Sequence, residues 1–598
     1  MKHLQSLNKY FYKYRYRLLL GILFVGVSNY FGVLSPRVIR YSFDLVKDNL
    51  AYYNLFSGFE LQNSFYSLFS SALLFFGITV LLLAILKGVF MFFMRQTLIV
   101  MSRLIEYDMK NEMYDHYQQL SLAFYKRNNT GDLMSRITED VSRVRMYTGP
   151  AVMYGINLLV MVVMVIYAML MVDVTLTLYV LIPLPLLAIS IYYVNNLIEH
   201  RSEKIQQQLS GLTTNAQEFY SGIRVIKSYV QEKQILQFFD KASEDYKEKA
   251  LKLARVEAFF FPLMLLLIGL STILTIWVGG IGVMNGRITP GNIAEFVVYV
   301  TMLTWPVTAI GWVASMTQRA ASSQKRINEF LDTKPEIITG NENGLILRGE
   351  IEFRNVNFTY PDTGVQALKN VSFKIKPGQK LAIIGRTGSG KTTIADLLLR
   401  MYDATNGEIL LDGNNISNLN LSVVRKQIGY VPQDVFLFSD TVENNVGFGV
   451  KEFNREGIVN AAQGASIHKE IAGLPKQYDA IIGERGVTLS GGQKQRISIA
   501  RAFMKNPQVM ILDDCLSAVD AKTEKTILHN LQASLKDKTV LFITHRVSAI
   551  MHFDKILVID EGKLVEQGRH EELLRNKSIY YDIYQLQRQK NDLKNSNM

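Results

Sequence analysis

Along its first half the chain alternates between long uncharged stretches and long polar ones. Six stretches hold no Asp, Glu, Lys or Arg: Leu18–Pro36, Leu61–Leu86, Met146–Val172, Val174–Ile198, Ala258–Gly286 and Phe296–Gln318. As a helix rising about 1.5 Å per residue, each can cross a hydrocarbon core of about 30 Å. One such stretch can be a buried helix of a soluble domain; six in one chain predict a helical membrane domain. Pro183, Pro185, Pro262 and Pro306 fall inside these runs, where neighbouring helices can satisfy the freed backbone groups. Asp173 alone separates the third and fourth runs, which predicts a tight hairpin. Arg287–Glu295 joins the fifth and sixth. Lys87–Arg145 and Glu199–Glu257 are much longer and keep helical composition. They predict helices continuing beyond the membrane, Tyr107–Leu122 and Ser202–Phe219 among them, with turns at Asn128–Asp132 and Tyr220–Gly222.

Over Asp332–Gly349 the pattern breaks: Pro335, Gly340, Gly344 and Gly349 among polar residues predict a linker. From Ile351 short β-like runs mix with helical ones. They are Ile351–Phe358, Ala367–Ile375, Lys380–Ile384, Glu408–Leu411, Gln427–Val431, Val509–Leu512, Thr539–Ile543 and Lys555–Asp560. The predicted fold is therefore an α-helical membrane domain, six transmembrane helices with long cytoplasmic extensions, followed by an α/β P-loop nucleotide-binding domain. The expected boundaries are 1–325 for the first, 326–349 for the linker, 350–585 for the second and 586–598 for a polar, frayed tail.

Gly385–Thr392 reads Gly-Arg-Thr-Gly-Ser-Gly-Lys-Thr and fits G-x-x-x-x-G-K-[S/T]. An apolar run precedes it and Thr393–Arg400 reads as a helix after it. In that setting the backbone N–H groups of Gly385, Thr387, Gly388, Ser389 and Gly390 and of the helix start through Thr393 point at one anion. Lys391 is expected to reach the β- and γ-phosphates of ATP, and Thr392 to hold Mg²⁺ through its hydroxyl. Val509–Asp513 is an apolar strand ending in a carboxylate, which makes Asp513 the second candidate for the metal. Ser490-Gly491-Gly492-Gln493 precedes another helical run. It reads either as a second anion site or as a plain helix cap.

The chain has 598 residues, a formal charge of +12 and one cysteine, Cys515, so no internal disulfide is possible. The basic residues decide what the charge means. Arg103, Lys110, Lys126, Arg127, Arg136 and Arg143 crowd the first long connection, and Arg201, Lys204, Arg224, Lys227 and others the second. The short connections carry few. By the positive-inside bias the long connections, both termini and the nucleotide-binding domain face the cytoplasm, in an inner (plasma) membrane with attraction to its lipids. That distribution argues against nucleic acid as a partner. The basic, aromatic start has no small-residue cleavage site after Leu18–Val33, so it reads as an uncleaved start rather than a signal peptide.

In this order and spacing the motifs resemble those of the ATP-binding cassette family, and the resemblance covers essentially the whole sequence. Six spans before one cassette look like a type IV exporter half-transporter of the multidrug or lipid kind. The residues that carry it are the phosphate loop, Gln433 after Tyr430-Val431-Pro432, Ser490–Gln493, the strand ending in Asp513, Ser517-Ala518-Val519-Asp520 and Thr544-His545. The resemblance implies that Tyr360 stacks on adenine. It implies that Gln433 joins Mg²⁺, the attacking water and the membrane domain, and that His545 contacts the γ-phosphate. Ser490, Gly491, Gly492, Gln493 and Asp520 would act on the nucleotide across a dimer. The turns at Asn128–Asp132 and Tyr220–Gly222 would be coupling elements, with Gly483–Gly486 the exporter loop that meets them.

One position departs from the family. After Asp513 it usually has Glu; this chain has Asp514. A carboxylate one methylene shorter retreats by about 1.5 Å, and a misplacement of about 1 Å can cost on the order of 100-fold in rate. The expectation is a site that binds ATP and hydrolyses it slowly, in a dimer with a second half-transporter that supplies a Glu. A competent homodimer in which Asp514 works through local backbone shifts is the alternative. The spans offer no clear intramembrane acid or base for an ion path. Met302, Trp305, Trp312 and Met316 suit an amphipathic substrate: a lipid, a drug-like molecule or a hydrophobic peptide. No peptidase-like segment precedes the spans, which reads against processing-peptide export. An ATP-gated channel and a regulatory subunit remain further readings.

Overall fold

The computed structural model describes residues 2–55, 58–59, 61–342, 345–483, 486, 489–519 and 521–596. Among them, six helical segments are long and apolar enough to cross a membrane, and each covers all or nearly all of one uncharged stretch. The long helices are α1 (Arg15–Leu55), α2 (Leu61–Gln119), α4 (Val152–Val172), α5 (Pro183–Ser221), α6 (Glu232–Met284) and α7 (Pro290–Leu331); a short α3 (Leu122–Arg127) follows α2. The third span starts at Thr130 and reaches α4 through two widened turns, Arg136–Asp140 and Tyr147–Ala151. Pro150 lies in the second. A proline cannot donate to the helix ladder and its ring displaces the carbonyl four residues back, so an added residue in the turn relieves both.

The hairpin expected at Asp173 is present. Asp173 is extended, with φ −158° and ψ 120°, and its carboxylate accepts from Leu176 N at 2.6 Å, capping the next helix. A second cap comes from a neighbouring helix. Asp44 of α1 accepts from Gly291 N at 3.0 Å and from Thr289 Oγ1 at 2.8 Å at the start of α7. One turn further on, Arg40 reaches the fully buried Glu295 at 3.3 Å, which also accepts from Tyr299 Oη at 2.9 Å. A buried carboxylate needs such partners, because its desolvation otherwise costs several kcal/mol. Gly291 allows the approach: a Cβ there would stand 2.5 Å from the Arg40 carbonyl oxygen.

The chain forms two compact units: residues up to Tyr117 with Gly131–Thr333, and Gln118–Thr130 with the chain from Lys334 onward. In the first, α7 continues past the expected boundary at 325 to Leu331, with Arg326 held by Asp132 at 2.7 Å and Asp140 at 3.3 Å. In the second, part of the expected linker is held by hydrogen bonds. Gly340 and Glu342 bond to the backbone of Asn418–Asn420, and Leu347 N donates to Gln427 Oε1 at 2.8 Å.

The second unit holds two sheets. Strands β1 (Ile351–Thr359), β2 (Gln366–Ile375), β4 (Asn406–Leu411) and β5 (Asn414–Asn415) pair antiparallel in the order β2-β1-β4-β5. Strands β3 (Lys380–Gly385), β6 (Ile428–Val431), β7 (Val509–Asp513), β8 (Thr539–Ile543), β9 (Lys555–Asp560) and β10 (Lys563–Gly568) form the other, in the order β10-β9-β3-β8-β7-β6. Only β10 runs antiparallel there. Every residue of β7 and β8 is buried, as expected of parallel strands covered on both faces. The carboxyl ends of β3, β7 and β8 fall side by side, and in such sheets that edge is where ligands bind.

We expect Gly291→Val to drive α1 from α7, with a loss of about 1–3 kcal/mol from overpacking. Thermal unfolding in detergent should show a lower midpoint than the parent chain.

Candidate functional site

Strand β3 ends at Gly385 and helix α8 (Lys391–Leu398) begins at Lys391, so Arg386–Gly390 forms the turn between a buried strand and a helix N-terminus. The turn depends on its glycines: Gly388 and Gly390 have φ of 79° and 99°, a region L side chains rarely adopt. A Cβ on Gly390 would also collide with the Ala367 carbonyl oxygen. Lys391 is 6% exposed, and its Nζ donates to Gly385 O at 3.1 Å and to Arg386 O at 2.7 Å. Burial pulls its ammonium down to about 8, with Asp513 and Asp514 opposing. A polyphosphate seated on the turn would reverse that, since a nearby anion favours the charged form.

Three carboxylates share this region. Asp513, at the end of β7, is 1% exposed; burial lifts its pKa to about 6, Asp396 and Asp514 add to the rise, and a hydrogen bond with Thr392 and the charge of Lys391 oppose it. Its Oδ2 is buried with no hydrogen-bond partner among the described residues, as is Ser389 Oγ. An orphaned buried acceptor beside a threonine hydroxyl fits a divalent cation. Magnesium suits a donor set of one carboxylate and one hydroxyl, because it keeps several waters and takes further ligands from phosphates. Asp514 has φ 42°, which Asp tolerates better than most residues. Burial raises its pKa, with His545, Arg546 and Lys391 pulling the other way. Burial and Lys391 lower the pKa of His545, against Asp514 and a backbone hydrogen bond to Gly385.

One cavity of about 480 Å³ gathers these groups. Of the sequence candidates it brings together Tyr360, Thr387, Gly388, Ser389, Gly390, Lys391, Thr392, Thr393, Gln433, Asp513, Asp514 and His545. Gly385 supports the turn from below it. Tyr360 is held by a 2.9 Å hydrogen bond between its Oη and Thr393 Oγ1. Ser490, Gly491, Gly492 and Gln493 do not line the cavity. They start helix α9 (Gly491–Met504) as a reciprocal cap, Ser490 N donating to Gln493 Oε1 at 2.9 Å and Gln493 N to Ser490 Oγ at 3.3 Å. Ser490 and Gly491 are exposed. The expectation for Asp520, and that for Glu484 and Arg485 within Gly483–Gly486, lie outside the described residues.

Sequence reasoning missed several wall residues, among them Gln366, Lys369, Glu561 and Gly562. Lys369 N bonds to Gly562 O at 2.7 Å, which brings the β9–β10 turn against β2; no local pattern announces a contact so distant in the chain. It also missed Gln587. The tail expected to fray after Gln585 is part of a helix, α10 (Ile579–Ser596). From it Gln587 Oε1 accepts from Val547 N at 2.9 Å and Gln587 Nε2 donates to His545 O. One amide thus brackets the loop that presents His545. The partner groups are backbone, so no residue type in the loop could have signalled it.

Six membrane-length helices attached to a phosphate-cradling cavity with a carboxylate-ended strand define a membrane-bound ATPase. The comparisons are specific about which. Residues 18–307 match the family model for the ABC transporter transmembrane region and residues 368–517 the model for ABC transporter. The chain is 37% identical over 492 residues to the probable multidrug resistance ABC transporter ATP-binding/permease protein YheI of Bacillus subtilis (strain 168), covering 81% of this chain and 83% of that one. It is 34% identical over 512 residues to the ATP-dependent lipid A-core flippase of Syntrophus aciditrophicus (strain SB), covering 85% of each. A solved structure of a bacterial Atm1-family ABC exporter with ATP bound superposes with a TM-score of 0.75 at 26% identity, over 96% of this chain and 99% of that one. The chain belongs to the ATP-binding cassette transporter family, with the exporter fold. It is a membrane protein that binds ATP and couples its hydrolysis to transport.

Two outcomes are expected of the site. Burial lifts the Asp396 carboxyl from the ordinary 3.8 to about 6, with Lys126 opposing. A raised carboxylate pKa means the folded state resists ionisation, so its penalty grows above pH 3.8 and is complete above about 6. Asp396→Asn should therefore raise the unfolding temperature of the ligand-free protein more at pH 8 than at pH 5. Gln587→Ala should slow ATP turnover by about 3–10-fold, as expected for a lost amide clamp of about 1 kcal/mol, while ATP affinity stays within error in binding assays.

Proposed function

We propose that this chain is one half of a dimeric exporter of amphipathic molecules, and that the ATP site built on its own Lys391 and Asp513 turns over slowly. The observation that carries the second part is how Asp514 is held. Its N–H donates to Ile543 O at 2.8 Å, and its carbonyl accepts from Ser517 Oγ at 3.0 Å. A backbone pinned on both sides cannot slide forward to return the shorter carboxylate to a water at the γ-phosphate. In hydrolysis that water attacks phosphorus, its proton goes to a general base, and the bond to the ADP oxygen breaks. Asp514 is the base on this chain, His545 the group at the γ-phosphate, and Gln433 the residue that orients the water. Thr392, Asp513 and Gln433 would hold Mg²⁺, which neutralises charge on the phosphates when bound. Phosphate-loop groups Gly385–Thr393 receive the triphosphate and Tyr360 the base.

Two features support a second chain. Ser490 and Gly491 stand exposed, and Gly492 and Gln493 half-buried, at a helix N-terminus outside the cavity of their own cassette, where they can complete a partner's site. The end of α5 and the connection after it carry bare apolar side chains: Tyr220 is 78% exposed and Val230 81%. A partner carrying Glu at the position of Asp514 gives one slow and one fast site; two copies of this chain give two slow ones. The names of similar proteins, a multidrug transporter and a lipid A-core flippase, favour a hydrophobic or amphipathic substrate. The membrane unit offers it an aromatic face, where Tyr154 meets Trp305 at 5.5 Å and Trp312 at 5.2 Å between ring centroids. Both tryptophans are about half exposed (48% and 45%), whereas Met316 is buried at 8% and does not belong to that face. The concentration of Lys and Arg in the long connections supports a cassette and both termini on the cytoplasmic side of an inner membrane that holds the spans.

ATP turnover of the purified chain alone, in nanodiscs, tests the slow site. The parent should bind ATP tightly and hydrolyse slowly, and Asp514→Glu should raise turnover about tenfold or more. High turnover unchanged by the substitution would sink the reading. ATP-dependent lipid flipping or dye efflux in proteoliposomes, with and without a Glu-bearing half, separates the paired transporter from the homodimer.

A further inference from the structure

The segment Gln118–Thr130 belongs to the nucleotide-binding unit, although the chain on either side of it belongs to the other. It is firmly seated there. Ala123 of α3 is 1% exposed in a core shared with β1 and β2. Ser121 Oγ donates to Glu336 Oε2 at 3.2 Å, and Arg127 Nη1 pairs with Glu336 Oε1 at 3.1 Å. So anchored, α3 delivers Lys126 to one place. Its Nζ lies 5.1 Å from the centroid of the Tyr360 ring and 5.3 Å from that of Tyr402. The two rings meet edge to face, 5.5 Å apart at 87°. The charge of Lys126 also opposes the burial that lifts the Asp396 carboxyl.

Tyr360 borders the nucleotide cavity; Lys126 and Tyr402 are not among the residues lining it. The ring therefore stands between the cavity and the ammonium. An ammonium over an aromatic face is attracted to its π electrons, fixes the ring's position and withdraws density from it. A ring so held and polarised is a better stacking surface for an electron-rich purine.

We propose that Lys126 is a positioning residue for nucleotide binding: it holds Tyr360 in the orientation that receives adenine, and so links base occupancy of this chain's own cassette to the segment joining α2 to the third span. The inference rests on the adenine-stacking reading of Tyr360. By linkage, whatever Lys126 contributes to base binding, bound base returns as order in α3.

The test uses the full-length chain in nanodiscs with two probes, ATP and inorganic tripolyphosphate, both with Mg²⁺. Lys126→Met should weaken ATP binding about threefold to tenfold and leave tripolyphosphate binding unchanged, and Lys126→Arg should restore most of the loss. In a Tyr360→Ala background Lys126→Met should cost nothing further. Amide exchange over 118–130 should slow with ATP and not with tripolyphosphate. Equal weakening of both probes, or an undiminished loss in the Tyr360→Ala background, overturns the proposal by making Lys126 a general structural residue. If Tyr360→Ala alone leaves the preference for ATP over tripolyphosphate intact, the stacking role of Tyr360 falls and the proposal falls with it. That outcome is distinguishable, because it appears before Lys126 is touched.

Discussion

The burial of opposing charges at the carboxyl ends of β3 and β7 is the constraint on which the site depends. Lys391, Asp513, Asp514 and Asp396 are drawn out of water together, and each is displaced from its ordinary ionisation by that burial. Such an arrangement is costly for a protein by itself. It becomes favourable when a polyanion with a divalent cation enters, because the ligand supplies the charges the site lacks. The fold accepts the cost because the sheet leaves no alternative: β3, β7 and β8 are parallel, buried and in register, so their ends must deliver Gly385, Asp513 and Ile543 to one edge.

The same logic explains how small groups act at a distance there. The carboxylate of Asp514 stands one methylene closer to its backbone than that of a Glu would. In a mobile loop that difference would be absorbed. Here the backbone is tied to Ile543 on one side and Ser517 on the other, so the side chain must span the whole gap. The loop of His545 is held in turn by an amide from the last helix, and the ring of Tyr360 by a lysine on a segment far from it in sequence. These groups lining the cavity are thus held by a surrounding layer drawn from separate parts of the chain.

The membrane unit shows a comparable division. Its helices were legible from uncharged runs alone, and the hairpin at Asp173 from a single polar residue. The pairing of Arg40 with Glu295 and the capping of α7 by Asp44 were not. Those groups lie at the margins of uncharged runs, where residue type does not say whether a side chain meets water or a neighbouring helix. What holds the linker was not legible for a related reason. Its composition is that of a loop, yet its backbone bonds to a turn some eighty residues further along, and composition carries no record of such a partner.

What the sequence by itself determined was local: period, spacing and residue type. The six spans follow from the absence of charge over membrane length, and the phosphate loop from glycines that alone allow its turn. Asp513 follows from an apolar strand ending in a carboxylate. Twelve of the candidate residues converge on one cavity; all but Tyr360, which follows β1 of the antiparallel sheet, lie in or beside strands that the other sheet aligns. What only the tertiary structure decided was what holds each of them. The grip of Gln587 on the His545 loop and of Lys126 on Tyr360 joins side chains to a backbone or a ring distant in the chain, and that of Ile543 on Asp514 joins one backbone to another. Those contacts exist only once the sheets have closed, since a backbone carbonyl is the same acceptor in every residue until the fold gives it a neighbour.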